Sequence, residues 1–148
     1  MRTRILTLLL AAPAILLFAC GGGGGEEKAE EPEGPKVFEI TDSLLATGQN
    51  TYKLNCVPCH GPLGKGDGPS ASGLNPKPRD HSNKEYMARL TDDMIAETVR
   101  MGGIIRGYPN MPSSPHIKGE EMAALVAFVR RLSEQERKQI EITIAKFN

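Results

Sequence analysis

With 148 residues, the chain has room for one folded domain once its N-terminal segment is set aside. Its 18 basic and 18 acidic residues balance, and no basic block of the kind that binds nucleic acid is present. There is no Trp and aromatic residues make up 5% of the total. A helical chain this poor in aromatics lacks core unless a large apolar group is buried at its centre.

The first segment reads as a targeting signal. Arg2 and Arg4 precede an apolar run from Ile5 to Phe18, broken only by Thr7 and Pro13. That run falls short of the ~20 residues a membrane-spanning helix needs, and matches a signal-peptide core. Leu17-Phe18-Ala19-Cys20 resembles a bacterial lipobox, in which cleavage falls just before the cysteine and its sulfur is lipidated. The alternative is an ordinary signal peptide or an uncleaved anchor with an incidental cysteine. The lipobox reading divides the start of the chain into a signal peptide (1–19) and a lipidated Cys20 with its tether (20–39). Gly21, with no Asp in its place, resembles lipoproteins that are not retained at the inner membrane. The protein is then exported and lipid-anchored, on the periplasmic or outer face of a bacterial membrane.

Gly21 to Gly25 form an unbroken glycine run, and residues 26–39 hold six acids against two lysines. Glycine gives freedom and like charges extend the chain, so about 17 such residues span roughly 20–25 Å as a flexible coil. The domain itself is expected over 40–132. Thr41 or Asp42 caps a first helix of about 42–55, with Leu44, Leu45, Tyr52 and Leu54 as candidate buried positions. From Gly61 to Asp80, five glycines and four prolines predict a loop. Thr91 opens a second strong helix with Asp92 and Asp93 in its first turn; Met94, Ile95, Thr98 and Val99 keep helical spacing until Gly102-Gly103. A Pro-containing loop from Ile104 to Lys118 leads to a last helix over about 119–132. Its apolar stripe runs from Met122 to Leu132, with Glu120 and Glu121 at its start and Arg130 and Arg131 at its end. The C-terminal extension, 133–148, alternates at Ile140-Glu141-Ile142-Thr143-Ile144 yet reads equally well as helix, with Ile140, Ile144 and Phe147 on one face. The fold class is all-α.

The chemistry lies in Cys56-Val57-Pro58-Cys59-His60, a C-x-x-C-H sequence that attaches c-type haem. In a helical turn, residues i, i+3 and i+4 project from one side. Two thiols can therefore add to the two haem vinyl groups while the imidazole reaches the iron. A disulfide across so short a loop would staple little. A thioredoxin-like redox pair expects a βαβ setting, absent here, and a zinc site would need a fourth ligand where only the distant His81 and His116 remain.

From Leu45 to Leu132 the chain resembles monohaem class I cytochromes c. The resemblance rests on Gly48 and Tyr52 before the motif, C-V-P-C-H-G, then G-K-G-D-G-P with L-N-P-K-P-R-D, Met111-Pro112, and the ending A-L-V-A-F-V-R-R-L. It implies a cytochrome c fold, three to five helices around one covalently bound haem c. The first and last helices would cross, with Gly48 and Tyr52 near Leu125, Phe128 and Val129. Cys56 and Cys59 would hold the haem and His60 would be an axial ligand.

For the second axial ligand the candidates are Met101, Met111, His116 and His81. The resemblance implies Met111, because the family carries its ligand in a loop after the third helix; the plain alternative is a core methionine. Packing is the expected role of Met101, and His116 and His81 read as surface loop residues. A loop carbonyl near Pro69 or Pro76 is expected to hold the Nδ1–H of His60. Arg79, Tyr86, Arg106 and Tyr108 are candidate partners for the haem propionates, against a solvated role for each. Lys53, Lys65, Lys77 and Arg79 suggest a weakly positive rim that steers encounters with an acidic partner.

The expected function is electron transfer, not enzymatic catalysis, since no acid–base pair, second metal or substrate loop is evident. The carrier would shuttle between membrane respiratory components or serve as a subunit of such a complex. Its partners are redox proteins and the membrane, with no nucleic acid and no small-molecule substrate. The extension would dock to that complex or fold back on the core. The competing function is a haem-based sensor or haem enzyme with an open or labile sixth position.

Overall fold

Thr41 begins the helical frame: its hydroxyl accepts the Leu44 N–H at 3.1 Å and starts α1, Asp42–Asn55. The computed structural model describes residues 34–133 and 139–142. Cys20, the signal segment and the tether up to residue 33 lie outside the described residues, as do Ile144 and Phe147. After α1 come the single turn α2 (Val57–His60), α3 (Lys84–Ala88), α4 (Asp92–Met101) and α5 (Gly119–Leu132). Short 3-10 turns at Pro69–Ala71 and Gly103–Arg106 interrupt the two Gly/Pro loops. No described helix is long and apolar enough to cross a membrane.

The frame is the crossing of α1 with α5. Gly48 allows it: a Cβ there would lie 2.0 Å from the Ala124 carbonyl oxygen and 2.9 Å from Phe128 Cβ, so the two backbones touch where glycine stands. One turn along, Tyr52 packs its ring 5.2 Å from that of Phe128 and is almost fully buried. The core continues through Leu44, Ile95, Val99, Leu125, Val126 and Val129. Leu54 departs from expectation. It sits on the far face of α1 and is 78% exposed.

A small ladder accompanies the helices. β1 (Lys36–Glu39) pairs antiparallel with β2 (Gln139–Ile142), Lys36 opposite Ile142 and Glu39 opposite Gln139. Ordered backbone therefore reaches back into the stretch expected to be tether, because a strand from the other end of the chain satisfies its hydrogen bonds. The alternating residues near 140 follow the strand option, and Ile142, 2% exposed, joins the core. Within the extension, residues 139–142 fold back on the domain.

Arg130 differs most from its sequence reading. The sequence by itself puts it only at the end of the last helix, and arginines are mostly exposed. Instead its guanidinium is fully buried. Nε donates to Asp92 at 2.8 Å, and the two terminal nitrogens donate to the carbonyls of Met87 and Leu90. These bonds lock α5 against the junction of α3 and α4, and they satisfy a charge that would otherwise be costly to bury. α3, unannounced by the sequence, exists through the Asn83 cap on the Tyr86 N–H.

Candidate functional site

The attachment motif closes α1 and opens one further turn. The Cys56 N–H still bonds the Tyr52 carbonyl at 2.8 Å, while the Cys56 carbonyl accepts from Cys59 at 3.1 Å and His60 at 2.8 Å. That turn brings Cys56, Cys59 and His60 to the wall of one cleft, which encloses about 1180 Å³ counting its open mouth. Ile95 and Val99 of α4 and Leu125 and Val129 of α5 form its apolar interior. Both thiols are free. Burial, and then the neighbouring Cys59, push the Cys56 thiol up to about 12.

The loop after the motif wraps tightly around it. Gly66 and Gly68 donate to the carbonyls of His60 and Cys59 at 2.9 and 3.1 Å. A Cβ on Gly68 would stand 2.4 Å from the Pro58 carbonyl oxygen and 2.5 Å from that of Val57, so no other residue lets the loop pass. The returning chain then reaches His60. The imidazole, 7% exposed, donates from Nδ1 to the Arg79 carbonyl at 3.0 Å, which leaves a lone pair on Nε2. Burial holds its pKa below the ordinary value, opposed by that carbonyl. The partner is therefore next to Pro78, not Pro69 or Pro76. Pro69 is exposed and away from the cleft, while Pro76 lines it.

Around the mouth, the Arg79 guanidinium lies over two rings, 4.6 Å from the Tyr86 centroid and 4.7 Å from that of Tyr108. All three residues line the cleft. Arg106 also lines it, but bonds back to α4: Nε to Thr98 Oγ1 at 2.6 Å, and a terminal nitrogen to Glu97 at 3.0 Å. Lys77 is committed too, donating to the carbonyls of Ala71 and Ser72 at 2.8 Å each.

The four candidates for the second axial position separate. Met101 is 52% exposed at the end of α4, where packing was expected, and His116 is exposed; neither lines the cleft. Met111 lines it, on a loop pressed against α4. Gly103 donates to the Met111 carbonyl at 3.1 Å, and a Cβ on Gly103 would come within 2.7 Å of Met111 Cβ. Its neighbour Asn110 donates across to the Asn75 carbonyl at 3.0 Å, a tie between the two loops that no sequence pattern signals. His81 also lines the cleft but stacks on His60 itself, centroids 4.1 Å apart and planes 19° apart. A ring lying on the face of His60 stands beside it, on the same side of whatever Nε2 binds. Burial and the adjacent His60 drive the His81 pKa down to about 3.

Two thiols and an imidazole on one helical turn, facing an apolar cleft, define a protein built to hold a large flat group by covalent bonds. A sequence model of the cytochrome c family matches residues 45–133, more than half the chain. The chain belongs to the cytochrome c family, and its cofactor is covalent haem c. The donor set fits: two thiols, an imidazole with a bare Nε2, and apolar walls. Membership carries with it haem-based electron transfer. No curated relative matches the chain.

Proposed function

We propose that the protein is a lipid-anchored electron carrier whose haem iron is held between His60 and Met111. The observation that carries the ligand pair is the sorting of the four candidates: two are away from the cleft, His81 occupies the side of His60, and Met111 remains. Bound haem supplies an iron centre that changes oxidation state, and a thioether opposite imidazole favours the ferrous form. The chain's part is to hold the ligands still. His60 is tied by the Arg79 carbonyl, and the Met111 loop by Gly103 and Asn110. Arg79, set between Tyr86 and Tyr108 at the cleft mouth, is the residue for the haem propionates; Arg106 is occupied on α4.

Anchoring through Cys20 rests on the lipobox-like sequence and the glycine run behind it. The tether would let the domain meet redox proteins or a respiratory complex at the exported face of the membrane. Lys53 and Lys65 are exposed near the motif and would favour an acidic partner. The experiment is the far-red charge-transfer band of ferric Met–iron ligation, recorded on the haem-loaded protein and on Met111→Ala. The band is expected in the parent and lost in the variant, with a lower reduction potential. A band that survives Met111→Ala overturns the ligand, and its absence from the parent overturns His/Met ligation.

A further inference from the structure

The pairing of His81 with His60 has no part in attaching the haem. The Arg79 carbonyl fixes the tautomer of His60 and one edge of its ring, but a single hydrogen bond leaves the ring free to rock about that edge. Two residues later the same strand of loop delivers a second imidazole, laid nearly parallel on the face of the first at 4.1 Å. We propose that His81 is a positioning residue that sets the plane of the His60 imidazole, and through it the electronic structure at the iron.

His81 is itself held. Its backbone N–H donates to the Gly64 carbonyl at 2.6 Å. Its Nδ1 meets the Tyr52 hydroxyl at 3.5 Å, and that hydroxyl donates to the Gly61 carbonyl at 3.3 Å. Tyr52 in turn is wedged against Phe128 at the α1–α5 crossing. A continuous line of packed rings thus runs from the helical frame, through Tyr52 and His81, to the axial ligand. Residues 79 and 81 grip His60 at its edge and at its face, so the loop that carries them acts as a two-point clamp.

The inference rests on His60 as an iron ligand and is independent of what lies opposite. It is tested on the haem-loaded protein by proton NMR of the ferric form. The spread of the haem methyl hyperfine shifts reports the plane of the axial imidazole in either spin state. His81→Phe keeps a flat ring, and is expected to retain the parental spread. His81→Leu fills similar space without a flat face; a changed spread and a shifted reduction potential are expected. If Phe and Leu variants give the same spectrum, the clamp is overturned, whether that spectrum matches the parent or not. A parent that lacks the Met band leaves this comparison intact, so failure of the Met111 assignment reads separately.

Discussion

The two walls of the haem cleft are built differently. On the His60 wall, backbone bonds from Gly66 and Gly68 close the loop onto the motif, His81 ties the loop to itself at Gly64, and His60 is buried. On the Met111 wall the ligand candidate is half-buried, Ile104 is 68% exposed, and the loop leans on the 3-10 turn through Gly103 and on α4 through Ser114. Pro112 on that side is exposed as well, and Tyr108 is half-buried. The difference assigns the walls different mechanical roles: one fixes the cofactor, the other is the side able to yield. A site so arranged would open, when it opens, by losing the Met111 loop first.

Paired glycine substitutions would test that asymmetry most severely. Gly68→Ala drives a Cβ into the backbone of the motif turn, which cannot retreat without moving both cysteines. We expect a loss of about 3 kcal/mol in stability, the upper end for overpacking, and poor haem attachment on a haem-stained denaturing gel. Gly103→Ala meets the Tyr108 carbonyl at 2.5 Å, but that carbonyl belongs to a loop with an exposed outer face. Here about 1 kcal/mol is expected, with attachment intact. Equal losses in denaturant unfolding would break the comparison.

The tie between the loops offers a finer measurement. Asn110→Ala removes the hydrogen bond to the Asn75 carbonyl, an exposed contact worth about 1 kcal/mol at most. That corresponds to roughly a fivefold larger population with the Met111 loop open. Imidazole should therefore bind the ferric protein up to about fivefold more readily, with the resting Met band retained. An unchanged binding rate would mean that the bond does not restrain the loop.

How much of this was legible in the sequence depends on the range of each interaction. Helix α1 could be read closely, because its signals are local: the expected span of about 42–55 meets Asp42–Asn55, and of the two possible caps it is Thr41 that forms. Gly48 at the crossing followed from a family resemblance, and the clash a Cβ would make with Ala124 shows its physical basis. Arg130 could not be read. Its position in the last turn says nothing of burial, and only the approach of Asp92, 38 residues away, shows why it is buried. The strand at Lys36–Glu39 was equally hidden, since its partner stands at the opposite end of the domain.

By itself the sequence determined that Cys56, Cys59 and His60 share one side of a turn: their i, i+3, i+4 spacing is enforced by helical geometry wherever the turn forms. The tertiary structure alone decided what surrounds that imidazole. The Arg79 carbonyl arrives 19 residues later and the His81 ring two residues beyond it. Their arrival depends on the path of a glycine-rich loop packed against the motif, and no local spacing encodes such a path.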